Sequence, residues 1–149
     1  MPLSKVHIKN KKASFEYHLE DHVVAGIQLT GTEIKSIRYG KVSLQESYCL
    51  FLNNELFVRN MHISEYSLGT DNNHEPKRDR KLLMKKRELG KFQSKVNERG
   101  YTIIPVSLFI NDNGLAKLEV ALGKGKHTYD KRASLKEKDL KRDFDRMQI

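Results

Sequence analysis

Residues 101–125 read YTIIPVSLFINDNGLAKLEVALGKG, a stretch that indicates β structure. Two apolar runs flank Asn113 and Gly114, a pair typical of a type I′ turn, so the pattern predicts a β-hairpin. Pro105 has no N–H to donate to a strand ladder and is expected at an edge or a bulge. Beyond Gly125 charged residues dominate, so the pattern that forms a core ends there.

Further extended segments are predicted upstream of this hairpin. Residues 47–60, SYCLFLNNELFVRN, predict another hairpin around Asn53 and Asn54, which tolerate the positive φ of a tight turn. SFEYHL at 14–19 alternates apolar and polar residues, and VVAGIQLTG at 23–31 is rich in β-branched residues. Short strands interrupted by helices favour a small barrel or curved sheet over parallel βαβ units.

A short helix is predicted within residues 30–41, TGTEIKSIRYGK. Thr30 and Glu33 have the spacing of a capping box, and Gly40 is placed to end the helix. Lys35 and Arg38 are expected to point outward.

A longer helix is predicted from an N-cap at Asp79 to a stop at Gly100. The polar segment before it, residues 67–80, is too long for an idle connection and is expected to be functional or disordered. The apolar stripe of the helix consists of Leu82, Leu89, Phe92 and Val96.

Composition points to a polyanionic partner. The chain has 149 residues, about one domain, and a formal net charge of +9. No apolar run approaches the roughly 18 to 20 residues of a membrane span. The N-terminus has no apolar segment of a secretory signal, so a cytoplasmic location is expected. The single cysteine, Cys49, lies in an apolar run and is interpreted as a buried small hydrophobe.

The sequence offers little for catalysis. The six histidines are scattered without zinc-site spacing, and no phosphate-cradling glycine motif is present. Acidic residues alternate with lysines, which is typical of solvated charge pairs. We therefore expect neither enzymatic activity nor a cofactor or metal.

The basic residues fall into three sets: Lys9 to Lys12, Lys77 to Arg87, and Lys124 to Arg132. Two of these sets adjoin polar loops and aromatic or histidine residues such as His74 and Tyr129. That combination suits phosphate contact with base stacking, although a solvated surface is the common meaning of a charge run.

Five phrases carry a resemblance to a known family: NKKASFEY, GTEIKSIRYGK, NMHISEY, NHEPKRDRKLLMKKREL and GKGKHTYDKR. Together, in this order, they resemble the SsrA-binding protein (SmpB) family of bacterial trans-translation. The resemblance implies a mainly β fold, an antiparallel barrel like the oligonucleotide-binding fold, with two or three helices. It implies an RNA-binding barrel at residues 1–125 and a basic tail at 126–149, disordered when free and helical on the ribosome.

The resemblance also implies partners. Similar proteins bind the tRNA-like domain of transfer-messenger RNA, favour its aminoacylation, and accompany it to stalled ribosomes. Elongation factor Tu and alanyl-tRNA synthetase are then partners through the RNA. The tail is expected to probe the decoding centre of the small subunit and the empty mRNA channel.

Site residues follow partly from the basic sets and partly from the resemblance, which places Leu83 and Lys117 at RNA-contact positions. A glutamate common in the family is replaced by Val24, so its contact is lost or is supplied by a neighbour such as Asp21. The expected RNA-binding residues are Lys11, Lys12, Tyr17, Lys35, His62, His74, Arg78, Arg80, Lys81, Leu83 and Lys117. The expected ribosome-binding residues of the tail are Lys124, Lys126, Tyr129, Asp130, Lys131, Arg132, Lys138, Lys141 and Arg142.

Two other functions remain open from the sequence. A general barrel that binds single-stranded nucleic acid would use the same basic and aromatic residues, but without a preference for folded RNA. A nucleotidyl-transferring or hydrolytic enzyme would need a carboxylate or metal constellation, which the sequence does not offer.

Overall fold

The structure is a computed structural model, and it describes residues 6–69, 73–97 and 101–125. These residues form nine strands and three helices. The strands are β1 (His7–Lys9), β2 (Tyr17–Ile27), β3 (Val42–Ser43), β4 (Tyr48–Leu52), β5 (Glu55–Arg59), β6 (His62–Ile63), β7 (Arg80–Leu83), β8 (Tyr101–Ile110) and β9 (Ala116–Gly125). The helices are α1 (Ala13–Glu16), α2 (Gly31–Arg38) and α3 (Lys86–Val96).

Antiparallel pairing closes the main sheet into a barrel. The strand order is β1-β8-β4-β5-β7-β2-β9, and β9 also pairs with β8, so the ring from β8 to β9 is complete. β3 and β6 form a separate two-stranded ribbon. This confirms the mainly β antiparallel fold with three helices.

Two irregularities bend the long strands that close the ring. In β2 the register to β9 shifts between Glu20 and Val23, where Asp21 has a φ of 56°. In β8 it shifts between Pro105 and Ser107, as expected for a proline that cannot donate to the ladder. Bulges of this kind raise local twist and allow a small barrel to close.

The core fills the barrel and continues under α3. Its most enclosed side chains include Ile37 of α2, Phe92 of α3, and Leu118 and Leu122 of β9, all 0% exposed. Cys49 is buried among them, and burial raises the pKa of its thiol. This agrees with the small-hydrophobe interpretation.

The predicted helix from Asp79 to Gly100 is wrong in its first part. Residues 80–83 form strand β7, and α3 begins only at Lys86. The cause is non-local, because β7 pairs with β5 through Lys81 and Arg80, and with β2 through Leu83 and Leu82. Hydrogen bonding to a strand on each side stabilises the extended backbone of residues 80–83. The helical spacing of the leucines gives no sign of these two pairings.

Two smaller predictions also change. Residues 14–16 belong to helix α1, so the first long strand begins at Tyr17. The turn after β8 is not type I′, because Gly114 has a positive φ of 79° but Asn113 does not. Asn111 closes a three-residue loop through its backbone bond to Leu115 and its side-chain oxygen, which accepts from Asn113 and Leu115.

The local turn and cap chemistry is confirmed elsewhere. Asn53 and Asn54 both have positive φ and join β4 to β5. Thr30 and Glu33 form the capping box of α2, and Gly40 follows the helix with a φ of 74°. The predicted tail, residues 126–149, lies outside the described residues.

Candidate nucleic-acid interface

A groove crosses the outer face of β7, β2 and β9. Cross-strand pairing places Leu83 opposite Gly26, and Gly26 opposite Lys117, so the three residues lie in a row. The groove has a volume of about 410 Å³. Its lining also includes Ile34 and Arg38 of α2 and Leu115 of the β8–β9 loop.

Apolar and cationic groups meet in this groove. Leu83 is 48% exposed and Leu115 is 56% exposed, although both are large apolar residues. Lys117 and Arg38 add positive charge to the same lining. Exposed apolar surface beside cations suits contact with bases or riboses flanked by phosphates.

Gly26 keeps the centre of the groove open. A Cβ at this position would lie 3.3 Å from the Cβ of Leu83, tighter than ordinary van der Waals contact. A larger residue would therefore push Leu83 aside and raise the floor of the groove. A glycine within a strand commonly marks such a close approach.

Lys81 lies on the same strand as Leu83, two residues earlier. Its Nζ is 3.4 Å from Oε2 of Glu55, and both groups are partly exposed. An exposed pair of this kind contributes little to stability, so Lys81 can exchange Glu55 for a phosphate at small cost.

Beneath α2 lies a buried polar network centred on Glu33. Glu33 and Arg80 are both 0% exposed and form a salt bridge. Arg80 also donates to the carbonyl oxygens of Met61 at 2.8 Å and Pro76 at 3.0 Å. Arg78 donates to Glu33 Oε1 at 2.7 Å, and so does the backbone N–H of Thr30 at 2.8 Å.

This network keeps Glu33 ionised. Burial raises the pKa of the Glu33 carboxyl, but hydrogen bonds from Arg78, Thr30 and Arg80 outweigh that effect. The pKa of Glu33 therefore lies below its ordinary value. Asp79 precedes Arg80 in the chain, and hydrogen bonds from Arg59 lower the pKa of its carboxyl.

Two residues expected to contact RNA lie inside the protein. Arg80 has no exposed surface to present to a phosphate. His74 is 6% exposed, with Nε2 2.8 Å from the carbonyl oxygen of Ile63 and Nδ1 2.9 Å from Oγ1 of Thr32. The structure therefore corrects both expectations. The side-chain nitrogens of Arg80 and His74 join the 73–80 segment to α2 and β6. Arg78 retains a partly exposed guanidinium.

A second group of expected residues gathers where β2 begins and β9 ends. Tyr17 pairs with Gly125, next to the pairing of His18 with Lys124. Lys12 and Tyr17 line one cavity of about 330 Å³, and Lys11 and Lys12 line another of about 240 Å³. Lys124 lies in β9, with its Nζ 5.7 Å from the ring centre of Tyr101, so it belongs to the barrel and not to the tail.

Among the residues that the structure describes, the remaining expected ones line neither the groove nor the two cavities beside Lys12. Lys35 is exposed on α2, with its Nζ 5.6 Å from the ring centre of Tyr66. His62 lies in the ribbon opposite Ser43 and is partly exposed. Residues 126–149, which hold every other expected tail residue, lie outside the described part of the chain.

Comparison with known proteins decides the family. A family model described as SmpB protein matches residues 7–148. The chain belongs to the SmpB family. SsrA-binding proteins of Phocaeicola vulgatus and Bacteroides thetaiotaomicron are each 58% identical to it over 147 residues, 99% of this chain and 98% of theirs.

A solved structure from work on tmRNA-SmpB and the center of the bacterial ribosome has a similar fold. Its TM-score is 0.69 at 37% identity, over 83% of this chain and 86% of that one. The family assignment covers the barrel and extends beyond it, because the SmpB model match continues to residue 148.

In this SmpB-family chain, Val24 is 53% exposed beside the groove. Its cross-strand partner is Glu119, whose Oε2 lies 2.9 Å from Nδ1 of His22. Asp21, suggested from the sequence as a substitute carboxylate, lies 3.3 Å from Lys91 in a partly exposed pair. Glu119 is the nearer carboxylate in the sheet register.

The sequence did not indicate several parts of this candidate interface. Arg38 and Leu115 line the groove, and Gly26 shapes its floor. Arg38 was recognised only as an outward cation, since its closeness to the β8–β9 loop depends on tertiary structure. The capping-box spacing indicated Glu33 as a cap, but its second role as the buried partner of Arg80 left no local signal.

The described residues form no helix long and apolar enough to cross a membrane. Within the same residues, no group of three or more His, Cys, Asp or Glu side chains is placed to hold a metal ion.

Proposed function

We propose that this chain is an RNA-binding adaptor of trans-translation that binds the tRNA-like domain of transfer-messenger RNA. The observation that carries the proposal is the row of Leu83, Gly26 and Lys117 across three strands. Membership of the SmpB family and the name of its close relatives, SsrA-binding protein, support the choice of RNA.

The groove recognises the shape of a folded RNA together with the charge of its phosphates. Lys117 and Arg38 neutralise phosphates on either side, and Lys81 joins them when it leaves Glu55. Leu83 and Leu115 cover the apolar surface of exposed bases or riboses, which a folded RNA presents at its loops and bulges. An uninterrupted single strand offers the phosphates without this fixed arrangement.

The network around Glu33 holds the site in shape. Arg80 and His74 fasten the 73–80 segment to the barrel and to α2, which carries Arg38. RNA binding therefore meets a surface that is already formed. A preformed surface pays less ordering entropy on association, which favours affinity.

The proposed role continues after the RNA is bound. The bound RNA is a better substrate for alanyl-tRNA synthetase and is delivered with elongation factor Tu to a stalled ribosome in the cytoplasm. The basic tail, with Tyr129, Asp130, Lys131 and Arg132 near its start, then meets the decoding centre. Lys126, Lys138, Lys141 and Arg142 face ribosomal RNA along the empty mRNA channel. None of these steps makes or breaks a bond on this chain, so the role is non-enzymatic.

The test compares two RNAs of equal length: the tRNA-like domain and an unstructured strand. We expect tight binding of the folded RNA and weaker binding of the strand. Lys117→Ala should weaken binding of the folded RNA and reduce its logarithmic salt slope by about 0.7 to 0.9. Lys86→Ala, at an exposed position outside the groove lining, is the matched control. Equal affinity for the two RNAs would favour the general single-strand binder.

A further inference from the structure

A pair of tyrosines lies beside the groove in a position that no step above uses. The rings of Tyr39 and Tyr66 have centroids 6.4 Å apart and are inclined by 35°. Tyr39 is 37% exposed although it is a large hydrophobic residue. Lys35 extends over the Tyr66 ring from one side. We call the surface formed by Lys35, Tyr39 and Tyr66 the aromatic platform.

Hydrogen bonds hold the backbone at both tyrosines. Tyr39 caps α2, and its N–H donates to the carbonyl oxygen of Ser36 at 3.1 Å. Asn73 clamps Tyr66 from both sides, since its Oδ1 accepts from the Tyr66 N–H at 3.1 Å and its Nδ2 donates to the Tyr66 carbonyl at 2.8 Å. Gly69 leaves room for this clamp, because a Cβ there would lie 2.5 Å from Asn73 Nδ2.

The buried histidine joins the two halves of the platform. His74 follows Asn73 directly and is bonded to Thr32 in the first turn of α2. The segment that carries Tyr66 is thereby tied to the helix that carries Tyr39. The backbone segments that carry the two rings are therefore held next to each other without a ligand.

Charge around the platform favours a polyanion. Lys35, Arg38 and Lys41 are exposed here, against the exposed Glu65. The N–H of Ser64 donates to the carbonyl of Lys41 at 3.0 Å, which places Lys41 next to the Tyr66 segment. Arg38 also lines the groove of Leu83 and Lys117, so the two surfaces are continuous.

We infer that the aromatic platform stacks on an unpaired base of the same RNA that lies in the groove. The inference rests on the proposed function for the identity of the RNA. Tyrosine rings present an apolar face to any base, and the flanking cations contact the neighbouring phosphates. The platform thus extends the interface past Arg38 and makes it selective for RNA with an unpaired nucleotide at that distance.

The test uses the full chain and the tRNA-like domain of transfer-messenger RNA. Tyr39→Leu and Tyr66→Leu remove the ring but keep apolar bulk, whereas Tyr39→Phe and Tyr66→Phe keep the ring. We expect each leucine variant to bind roughly tenfold more weakly, with an unchanged salt slope. The phenylalanine variants should bind as the unsubstituted chain does, and Arg38→Ala should lower the slope by about 0.7 to 0.9.

Leucine variants with undiminished affinity would overturn the inference, and so would phenylalanine variants as weak as the leucine ones. Ultraviolet cross-linking of the unsubstituted complex is a measurement that needs no variant. We expect RNA adducts on Tyr39 or Tyr66. Adducts confined to other residues would contradict stacking on the aromatic platform. Failure of the proposed function looks different, because the unsubstituted chain would then bind the folded RNA no better than the unstructured strand.

Discussion

Leu82 and Leu83 are adjacent in sequence, yet the alternation of side chains along a strand gives them different tasks. Leu82 is 1% exposed and belongs to the core, whereas Leu83 is 48% exposed in the groove. The helix first predicted for this segment placed Leu82 in its apolar stripe, and the resemblance placed Leu83 at an RNA-contact position. Strand β7 separates the two leucines for a different reason, because neighbours in a strand face opposite sides of the sheet.

Substitution of each leucine should separate stability from binding. Leu82→Ala should lower the free energy of unfolding by about 2 to 5 kcal/mol, since it leaves a cavity in the core. Leu83→Ala should change stability far less and should weaken binding of the tRNA-like RNA. Denaturant unfolding and RNA titration measure the two effects. If Leu83→Ala unfolds the protein without a specific loss of RNA affinity, the groove assignment is wrong.

Protonation of Glu33 should lower the free energy of unfolding at acid pH. Its folded pKa lies below the ordinary value of 4.5, so its contribution is fully present above that value and is lost as the pH falls through the folded pKa. The pKa of Asp79 is also lowered, from an ordinary value of 3.8, so Asp79 likewise loses its contribution to stability as the pH falls. Unfolding by denaturant at a series of pH values should show a decline below the ordinary pKa range.

Variants at the two acids should distinguish buried from exposed pairing. Glu33→Gln leaves Arg80 buried without its carboxylate and should cost about 3 to 5 kcal/mol. Asp79→Asn, at a half-exposed pair with Arg59, should cost about 1 kcal/mol or less. Equal losses in the two variants would show that burial of the Glu33–Arg80 pair has no special weight.

Among the elements, some local chemistry was readable from the sequence, although the turn at Asn113 and Gly114 was assigned the wrong type, and distant pairing was not readable. The turn at Asn53 and Asn54 and the capping box of α2 depend on neighbours within a few residues, and both were predicted correctly. β7 depends on β5 and β2, whose edges no local pattern reveals. The burial of His74 was not readable either. Its sequence context indicates a loop, but in the fold it is buried and hydrogen-bonded to Thr32 and Ile63.

Helix α3 carries a glycine that the fold does not require. Nothing lies within 4 Å of a Cβ at Gly90, which is exposed in the helix. Gly90→Ala should therefore raise the free energy of unfolding by about 0.4 to 1 kcal/mol. Gly123→Ala is the contrasting variant, because its Cβ would lie 2.9 Å from Ile104 and should destabilise the barrel. Thermal melting of both proteins checks the opposite signs.

In the whole molecule, the barrel and the tail have separate tasks in the proposed function. The barrel holds a preformed groove, so RNA affinity should not require residues beyond Lys126. Ordering a charged tail costs about 1 to 2 kcal/mol per residue in backbone entropy, which an extensive ribosomal surface can offset. The charge pattern of residues 126–149 is readable from sequence, but its partner surface is not.

Truncation tests this division. A chain ending at Lys126 should bind the tRNA-like RNA with near-normal affinity but should fail to support peptide tagging on a ribosome stalled at a message end. The full chain measured beside it is the control. A truncated chain that retains tagging, or that loses RNA affinity as severely as tagging, would contradict separate roles.

Closure of the ring by β9 also means that the groove needs both an early and a late segment of the barrel sequence. β2 and β9 stand at opposite ends of the barrel sequence, yet Gly26 and Lys117 are direct partners. A nascent chain that has not yet released β9 from the exit tunnel has an open edge on β2 and only part of the groove. The groove is therefore complete only once β9 has paired with β2.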